Sequence, residues 1–238
     1  MRARLLDLGE VGPVRSQSAY HAVLATRGEG ADPVLVLARP VAPLVSIGDA
    51  GAGVVDLEAA EAAGLPLVAR RIGGPAAILG AGDLLIQLVM PTATAPAAAV
   101  RTAAEPVVAM LAALGVAARA AADGSLATAR GRLGSVQVAV LESALCLVYN
   151  LTWKVPSALP AGLAGGSTTS VAAESEDPPN LADLAERLLS AVEDHFGLEL
   201  IPSLPTPAEL EAIYEWDERL LLAAGEARAR TSSATVLQ

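Results

Sequence analysis

The order of its elements constrains this chain more than any single residue does. Apolar runs and turn residues read, from the N-terminus, as strand, helix, several strands, a helix, more strands and two closing helices. Strands and helices do not alternate one for one, and no G-x-G-x-x-G follows a first strand. A doubly wound dinucleotide-binding fold is therefore disfavoured. The pattern predicts an α+β domain: a mixed, mostly antiparallel sheet with helices packed against it. The 238 residues fit one large domain or two small ones.

Residues 3–8 read as a short strand broken by Gly9, Gly12 and Pro13, and 14–26 as a helix with Val14, Ala19, Ala22 and Val23 at its apolar positions. Residues 33–38 and 43–47 read as strands, the second ending at Gly48 before a glycine-rich turn. Asp56 fits the N-cap of a two-turn helix that ends at Gly64. Residues 66–71 read as a strand delivering Arg70 and Arg71 at its end, 72–83 as a glycine-rich hairpin or loop pair, and 84–90 as another strand. A long helix is expected over 97–114, closed by Gly115. Strands follow at 116–121, 125–128, 135–140 and 144–151, then a loop with one short element over 157–179. Helices at 180–195 and 207–223 close the chain, with Thr206 capping the second and Pro207 at its start. The domain is expected to span 1–225, and the polar stretch 226–238 to fray.

Composition narrows the function classes. Hydrophobic residues make up 53% of the chain but aromatic residues only 3%, so the core must be built from Ala, Val, Leu and Ile, with helices lying close to the sheet. A net charge of −10 disfavours phosphate backbones and anionic membranes, so neither a nucleic acid nor a membrane is expected as a partner. The single cysteine, Cys146, excludes an internal disulfide framework. Residues 1–12 have no signal-type apolar core, and no stretch reaches the roughly 20 apolar residues that span a bilayer. A cytoplasmic location is the simplest expectation, and no metal site is predicted.

The segment 67–91, LVARRIGGPAAILGAGDLLIQLVMP, concentrates the unusual residues. Consecutive glycines let a backbone approach a ligand closely and leave N–H groups exposed. At a strand end, Arg70 and Arg71 point to opposite faces, and one could meet a phosphate or carboxylate. Equally open is a plain hairpin turn at Gly73 and Gly74, with the arginines solvated or paired with Asp83.

This segment resembles the signature loop of the lipoate–protein ligase A and octanoyltransferase superfamily, the biotin/lipoate A/B protein ligases. In the ligases the loop reads roughly R-R-x-S-G-G-G-A-V; here it reads Arg70, Arg71, Ile72, Gly73, Gly74, Pro75, Ala76, Ala77, Ile78. The transferases continue into H-G-P-G-Q-L, and the matching stretch here is Leu79, Gly80, Ala81, Gly82, Asp83, Leu84. The opening RLLDLGEVGPVRSQSAYHAVL, the strand end PLVSIG, the stretch 159–171 and the final helix are similar to family segments too, so the resemblance covers roughly residues 3–222. It implies the class II synthetase-like ligase fold and an acyl-adenylate cleft. It also implies binding of a lipoyl, octanoyl or related acyl group, ATP with Mg²⁺ or acyl-AMP as cofactor, and a lipoyl or acyl carrier domain as partner. The ligand-binding residues it points to are Arg70, Arg71, Gly73, Gly74, Pro75, Ala76, Ala77, Gly82, Arg130, Arg132 and Gly134.

The family's chemical groups are missing. A lysine on the strand after the signature loop polarises the acyl carbonyl in both branches. The matching region, 127–140, holds Arg130 and Arg132 instead, and Lys154 is the only lysine in the chain. A guanidinium spreads its charge over a planar fork and does not replace a compact ammonium. The transferase cysteine between Pro and Gly is Ala161, between Pro160 and Gly162, and an alanine forms no thioester. Cys146 lies in an apolar strand run, and His21 and His195 read as helix residues at the surface or half-buried. No catalytic residue is assigned. Three readings follow: an acid-activating ligase or acyltransferase, a pseudoenzyme or partner subunit that binds without turnover, or a structural protein with no ligand.

Overall fold

The computed structural model describes residues 1–28, 30–48, 55–74, 76–91, 96–141, 144–155, 163, 167–221 and 226, the side chains of 96–99 excepted. The glycine-rich turn after Gly48, Pro75, the stretch 160–162 and all of the expected tail except Glu226 lie outside the described residues. The elements run β1 (Arg2–Val11), α1 (Arg15–Thr26), β2 (Val34–Pro40), β3 (Leu44–Ile47), α2 (Leu57–Ala62), β4 (Leu67–Ala69), β5 (Ala77–Leu79), β6 (Asp83–Met90) and α3 (Pro96–Ala113). They continue with β7 (Arg119–Ala120), β8 (Ser125–Thr128), β9 (Gly131–Leu141), β10 (Ala144–Thr152), α4 (Val171–Glu174), α5 (Leu181–Phe196), β11 (Glu199–Pro202) and α6 (Pro207–Leu220).

Eight strands form one sheet in the order β11-β1-β2-β6-β10-β9-β8-β7, and three form a smaller one in the order β4-β3-β5. In the large sheet only the β11–β1 and β1–β2 pairs are parallel. From β2 through β6, β10, β9 and β8 to β7 every pairing is antiparallel. This is the mixed, mostly antiparallel architecture that the element order predicts.

The central strands are apolar on both faces because both faces are covered. Leu84, Ile86 and Leu88 of β6 and Leu145, Leu147 and Leu151 of β10 share a cluster with Ala103, Val107 and Leu111 of α3 and Leu184, Leu188 and Val192 of α5. The alternate residues Val89, Cys146 and Val148 pack with Ala19, Tyr20, Val23 and Leu24 of α1. The small sheet closes over this second face: Leu44, Val68, Ala77 and Leu79 meet Leu85 of β6 and Leu220 of α6. Its outer face packs Val45, Ile47 and Leu67 with Ala60 of α2. No helix among the described residues is long and apolar enough to cross a membrane.

Several expectations are corrected. The first strand runs through Gly9, whose φ of 66° supports a bulge where the register against β2 shifts between Asp7 and Glu10, and stops at Val11. The 66–71 strand is only three residues long, so both arginines lie beyond its end. The expected loop at 72–83 contains β5, which pairs with β3 and not with a neighbour in sequence. β11 was not anticipated: Glu199 and Pro202 bracket only two apolar residues, and the strand's pairing partner is the distant β1.

The last helix starts as its sequence indicates. The Thr206 hydroxyl accepts the Glu209 N–H, and the Glu209 carboxylate accepts the Thr206 N–H at 2.7 Å. The same carboxylate takes two hydrogen bonds from Arg4 of β1, at 2.7 and 2.9 Å, which ties the helix cap to the sheet. Burial works to raise the Glu209 carboxyl; the bonds and charge of Arg4 and the cap bonds from Thr206 overcome it and hold it below the ordinary value. Glu209→Ala is expected to lower stability by about 2–4 kcal/mol near neutral pH, since it breaks a largely buried pair and a cap together. The deficit should shrink as pH falls below about 4.5, where the unfolded chain takes up the proton first, and be smallest once the folded carboxyl, held lower, is protonated too. Urea melts at pH 7 and pH 3 check this, and a loss under 0.5 kcal/mol at pH 7 would refute it.

Candidate active-site cleft

The first of the two arginines reaches the space between the two sheets. Arg70 follows β4 directly and is buried. Its Nη1 donates to the Ser46 carbonyl at 2.6 Å and to the Ser46 hydroxyl at 3.1 Å, and its Nη2 donates to the Gly73 carbonyl at 3.3 Å. The guanidinium thus spans β3 and the glycine loop, a task suited to its fixed fork of donors. Beside it lies a narrow slot lined by the polar residues Gln17, Ser46, Arg70, Ser135, Gln137 and Asn150. Ala77, Leu79, Leu85 and Val148 complete the walls. The slot encloses about 10 Å³, the room of about one water molecule.

The alternation of the strands explains this lining. On β10, Val148 and Asn150 face α1 and the small sheet, while Leu147, Tyr149 and Leu151 face α3 and α5. On β9, Ser135 and Gln137 line the slot while Val136 joins the opposite cluster. α1 contributes Gln17, and the small sheet contributes Ser46 from β3 and Ala77 and Leu79 from β5. The glycine loop passes close by: a Cβ on Gly74, which has a φ of 91°, would stand 3.1 Å from Gln137 Nε2.

Arg71 takes a different course. Its backbone N–H donates to His21 Nε2 at 3.3 Å, and His21 Nδ1 contacts the Gln17 carbonyl at 2.9 Å. These contacts assign the neutral ring with its proton on Nδ1. His21 is fully buried between the Tyr20 and Trp216 rings, at 3.9 and 4.8 Å, so it is neither a surface nor a half-buried histidine. Burial lowers it to about 4, the Gln17 bond opposes the shift, and the Arg71 charge adds to it. His195 is exposed in the last turn of α5.

Of the residues singled out in the sequence, Arg70 and Ala77 line the slot, and Gly73 and Gly74 touch residues that do. Ala76 is buried in the outer cluster of the small sheet, and Gly82 lies in the turn before β6, near Trp153. Arg130 sits exposed in the β8–β9 turn, donating to the Ala173 carbonyl at 2.6 Å and lying 3.6 Å from Glu174. Arg132 of β9 donates from Nε to the Gly134 carbonyl at 3.3 Å, and its backbone pairs with Ser167 and Thr169. Burial lowers the Arg132 pKa against the pull of Asp123. A Cβ on Gly134 would run into the Asn150 carbonyl, so this position faces backbone and not the slot's side chains. Lys154 is exposed beyond the end of β10 and does not line the slot, while Cys146 is fully buried under α1.

Gln17, Ser46, Ser135, Gln137 and Asn150 escaped the sequence reading. Their signal was a polar residue inside an apolar strand or helix face, as in LVSI, SVQVAV and LCLVYNL. Two wider grooves, of about 550 and 570 Å³, lie along α5, and none of the predicted ligand-binding residues lines them.

Similarity to known proteins bears on the family and the fold. The sequence pattern described as the lipoyl protein ligase A/B catalytic domain matches residues 13–135, which include α1, the small sheet and the start of β9. A search of curated protein sequences finds no match. Among solved structures, protein Ta0514 of T. acidophilum with bound lipoic acid is similar at 20% identity and a TM-score of 0.79, over 92% of this chain and 96% of that one. A bi-partite lipoate protein ligase from Thermoplasma acidophilum, studied with its E2 lipoyl domain, is similar at 20% identity and 0.75, over 92% and 93% of the two chains. Lipoate-protein ligase A bound with ATP is similar at 19% identity and 0.71, over 92% and 95%.

Proposed function

Because the chain belongs to the lipoyl protein ligase A/B catalytic domain family, we propose that it holds a lipoyl, octanoyl or related acyl group, as the acyl adenylate, in the cleft beside Arg70 without carrying out the family's lysine-dependent transfer. One observation supports this reading above the rest: the only amine-bearing side chain, Lys154, is exposed beyond β10, while the slot's cationic group is the guanidinium of Arg70. Arg70 is held by Ser46 and the Gly73 carbonyl and has no route to the compact point-charge role of an ammonium. Cys146, sealed under α1, offers no nucleophile to a thioester route.

Such a protein would act as a pseudoenzyme: a non-catalytic partner subunit or an acyl-binding component of a lipoylation or acyl-carrier system. A lipoyl carrier domain is the partner that this reading names. ATP with Mg²⁺, or the preformed acyl-AMP, is the cofactor that the family reading names. The polar lining of the slot is consistent with a ligand-binding role, whereas its small volume and the Leu79 side chain in its wall fit the structural reading, in which Ile72, Leu79 and Leu84 fill the cleft. Ile72 lies in the α1 cluster and Leu84 on the far face of the sheet.

Calorimetric titration with non-hydrolysable lipoyl- and octanoyl-adenylate analogues tests the binding half. Micromolar or tighter binding is expected, falling at least tenfold in Arg70→Met. Parallel assays for AMP release with ATP, Mg²⁺ and a panel of carboxylic acids test the other half. Turnover in that panel would overturn the non-catalytic assignment, and no binding of either analogue would overturn the cleft.

A further inference from the structure

We propose that His21 is a positioning residue for the cleft: its Nε2 fixes the peptide plane that follows Arg70 and so holds the Arg70 guanidinium in place for a bound acyl adenylate; this rests on the reading of the cleft given above. Two backbone bonds bracket the Arg70 α-carbon. The Arg70 N–H donates to the Ile47 carbonyl at 2.9 Å, continuing the pairing of β4 with β3 one residue past the strand. The next N–H, that of Arg71, donates to His21 Nε2 at 3.3 Å. Peptide planes are rigid, so pinning the plane before Arg70 and the plane after it leaves the two dihedrals between them little freedom. From that α-carbon the side chain reaches Ser46 and the Gly73 carbonyl. A rotation of the peptide after Arg70 would swing the guanidinium away from both.

The same helix sets the opposite wall. Gln17 and His21 lie one turn apart on one face of α1. Gln17 lines the slot, and its Oε1 accepts from the Ser46 hydroxyl at 3.1 Å. α1 therefore touches β3 through one side chain and the arginine segment through the other.

The ring suits this task only in its neutral form. With the Nδ1 proton given to the Gln17 carbonyl, Nε2 keeps a lone pair for Arg71. A charged ring would turn a second N–H toward the Arg71 N–H and lose the bond. Complete burial between the Tyr20 and Trp216 rings, together with the Arg71 charge, keeps the proton off. Trp216 is held in turn by its helix, since Asp217 of α6 accepts from Arg15 of α1 at 2.6 and 3.0 Å.

A merely structural histidine could be replaced by any side chain that fills its space, whereas a positioning histidine requires an acceptor where Nε2 stands. The test is calorimetry of the full chain with a non-hydrolysable octanoyl-adenylate analogue. His21→Phe keeps an aromatic ring between Tyr20 and Trp216 but offers no acceptor, and its affinity is expected to fall at least about fivefold. His21→Gln offers an amide oxygen near the place of Nε2 and should bind within about twofold of wild type, although both variants lose stability. In an Arg70→Met background His21→Phe should have no further effect, because it acts through Arg70. Should His21→Phe fail to fold, nuclear magnetic resonance of the wild type decides: the scalar coupling between the Arg71 amide nitrogen and His21 Nε2 should be present and should grow on saturation with the analogue. Affinity in His21→Phe equal to wild type, a loss in His21→Gln as large as in His21→Phe, or a coupling that the analogue leaves unchanged overturns the positioning role and leaves the acyl-adenylate reading intact. No binding by the wild type overturns both.

Discussion

Replacing Gly134 with alanine is expected to lower the stability of the chain by about 3 kcal/mol or more. Gly134 stands opposite Leu151 in the pairing of β9 with β10. A Cβ at this position would lie 2.1 Å from the Asn150 carbonyl oxygen and 3.2 Å from the Leu151 α-carbon. Both are backbone atoms of an interior strand, so no rotamer change relieves the contact. β10 is bound on its other edge to β6, and moving it disturbs that ladder as well. Gly73→Ala is the matching control, because a Cβ there meets nothing within 4 Å. Urea denaturation of both variants checks the contrast, and an alanine at 134 that costs less than about 1 kcal/mol would show the argument to be wrong. The sequence marks Gly134 as a ligand-binding position. Its neighbours supply a packing reason for glycine that operates whether or not a ligand binds.

The second large effect concerns two buried ionisable groups with opposite pH dependence. Burial pushes the Asp83 carboxyl up to about 7, against the hydrogen bonds from the Gly80 N–H and the Thr152 side chain. In the unfolded chain this carboxyl titrates near 3.8, so above that value the unfolded state has already released the proton that the folded state keeps. Asp83 therefore costs stability progressively as pH rises from 3.8 to about 7, to a limit of roughly 4 kcal/mol. Asp83→Asn should remove that cost, because an amide oxygen can still accept from Gly80 N–H. The gain should be near zero at pH 4 and reach several kcal/mol at pH 8.

His21 runs the other way. Its folded value near 4 lies below the ordinary 6.5, so the unfolded state binds the proton first as pH falls. The neutral ring's contribution is complete above 6.5 and is lost between 6.5 and about 4, by roughly 3 kcal/mol. Over this window the two groups offset each other in the wild type. The separate slopes should emerge in variants: Asp83→Asn gains stability steeply from pH 4 to 6.5, and His21→Gln loses that rise. Denaturant melts across pH 4–8 measure both. A gain in Asp83→Asn that does not grow with pH would contradict the assignment of a protonated Asp83. His21 also connects this titration to the cleft, since it holds the Arg71 N–H one residue from Arg70.

Little of the slot's lining could be read in the sequence: Arg70 and Ala77 were named, its other walls were not. Arg70 and the paired glycines stood out because charge and glycine at a strand end are unusual in a chain otherwise made of Ala, Val and Leu. Gln17 did not, since a glutamine in an amphipathic helix is ordinary until the helix face is known to be buried. Ser135, Gln137 and Asn150 are likewise polar residues whose direction depends on register. Arg130 and Arg132 seemed equivalent by position, yet one is solvent-exposed at a turn and the other is turned back onto its own strand.

The sequence by itself determined most of the strands and helices, though not β5 or β11, where the last helix begins, and that one lysine and one cysteine must serve the whole molecule. Apolar period, capping residues and composition are local properties, and they survive being read one residue at a time. Only the tertiary structure decided that β5 joins β3, that the small sheet covers β6 and β10, and that Gln17 and Asn150 face each other's side of one slot. Those outcomes depend on pairing between segments far apart in the chain, and local propensity carries no information about which distant edge a strand will meet.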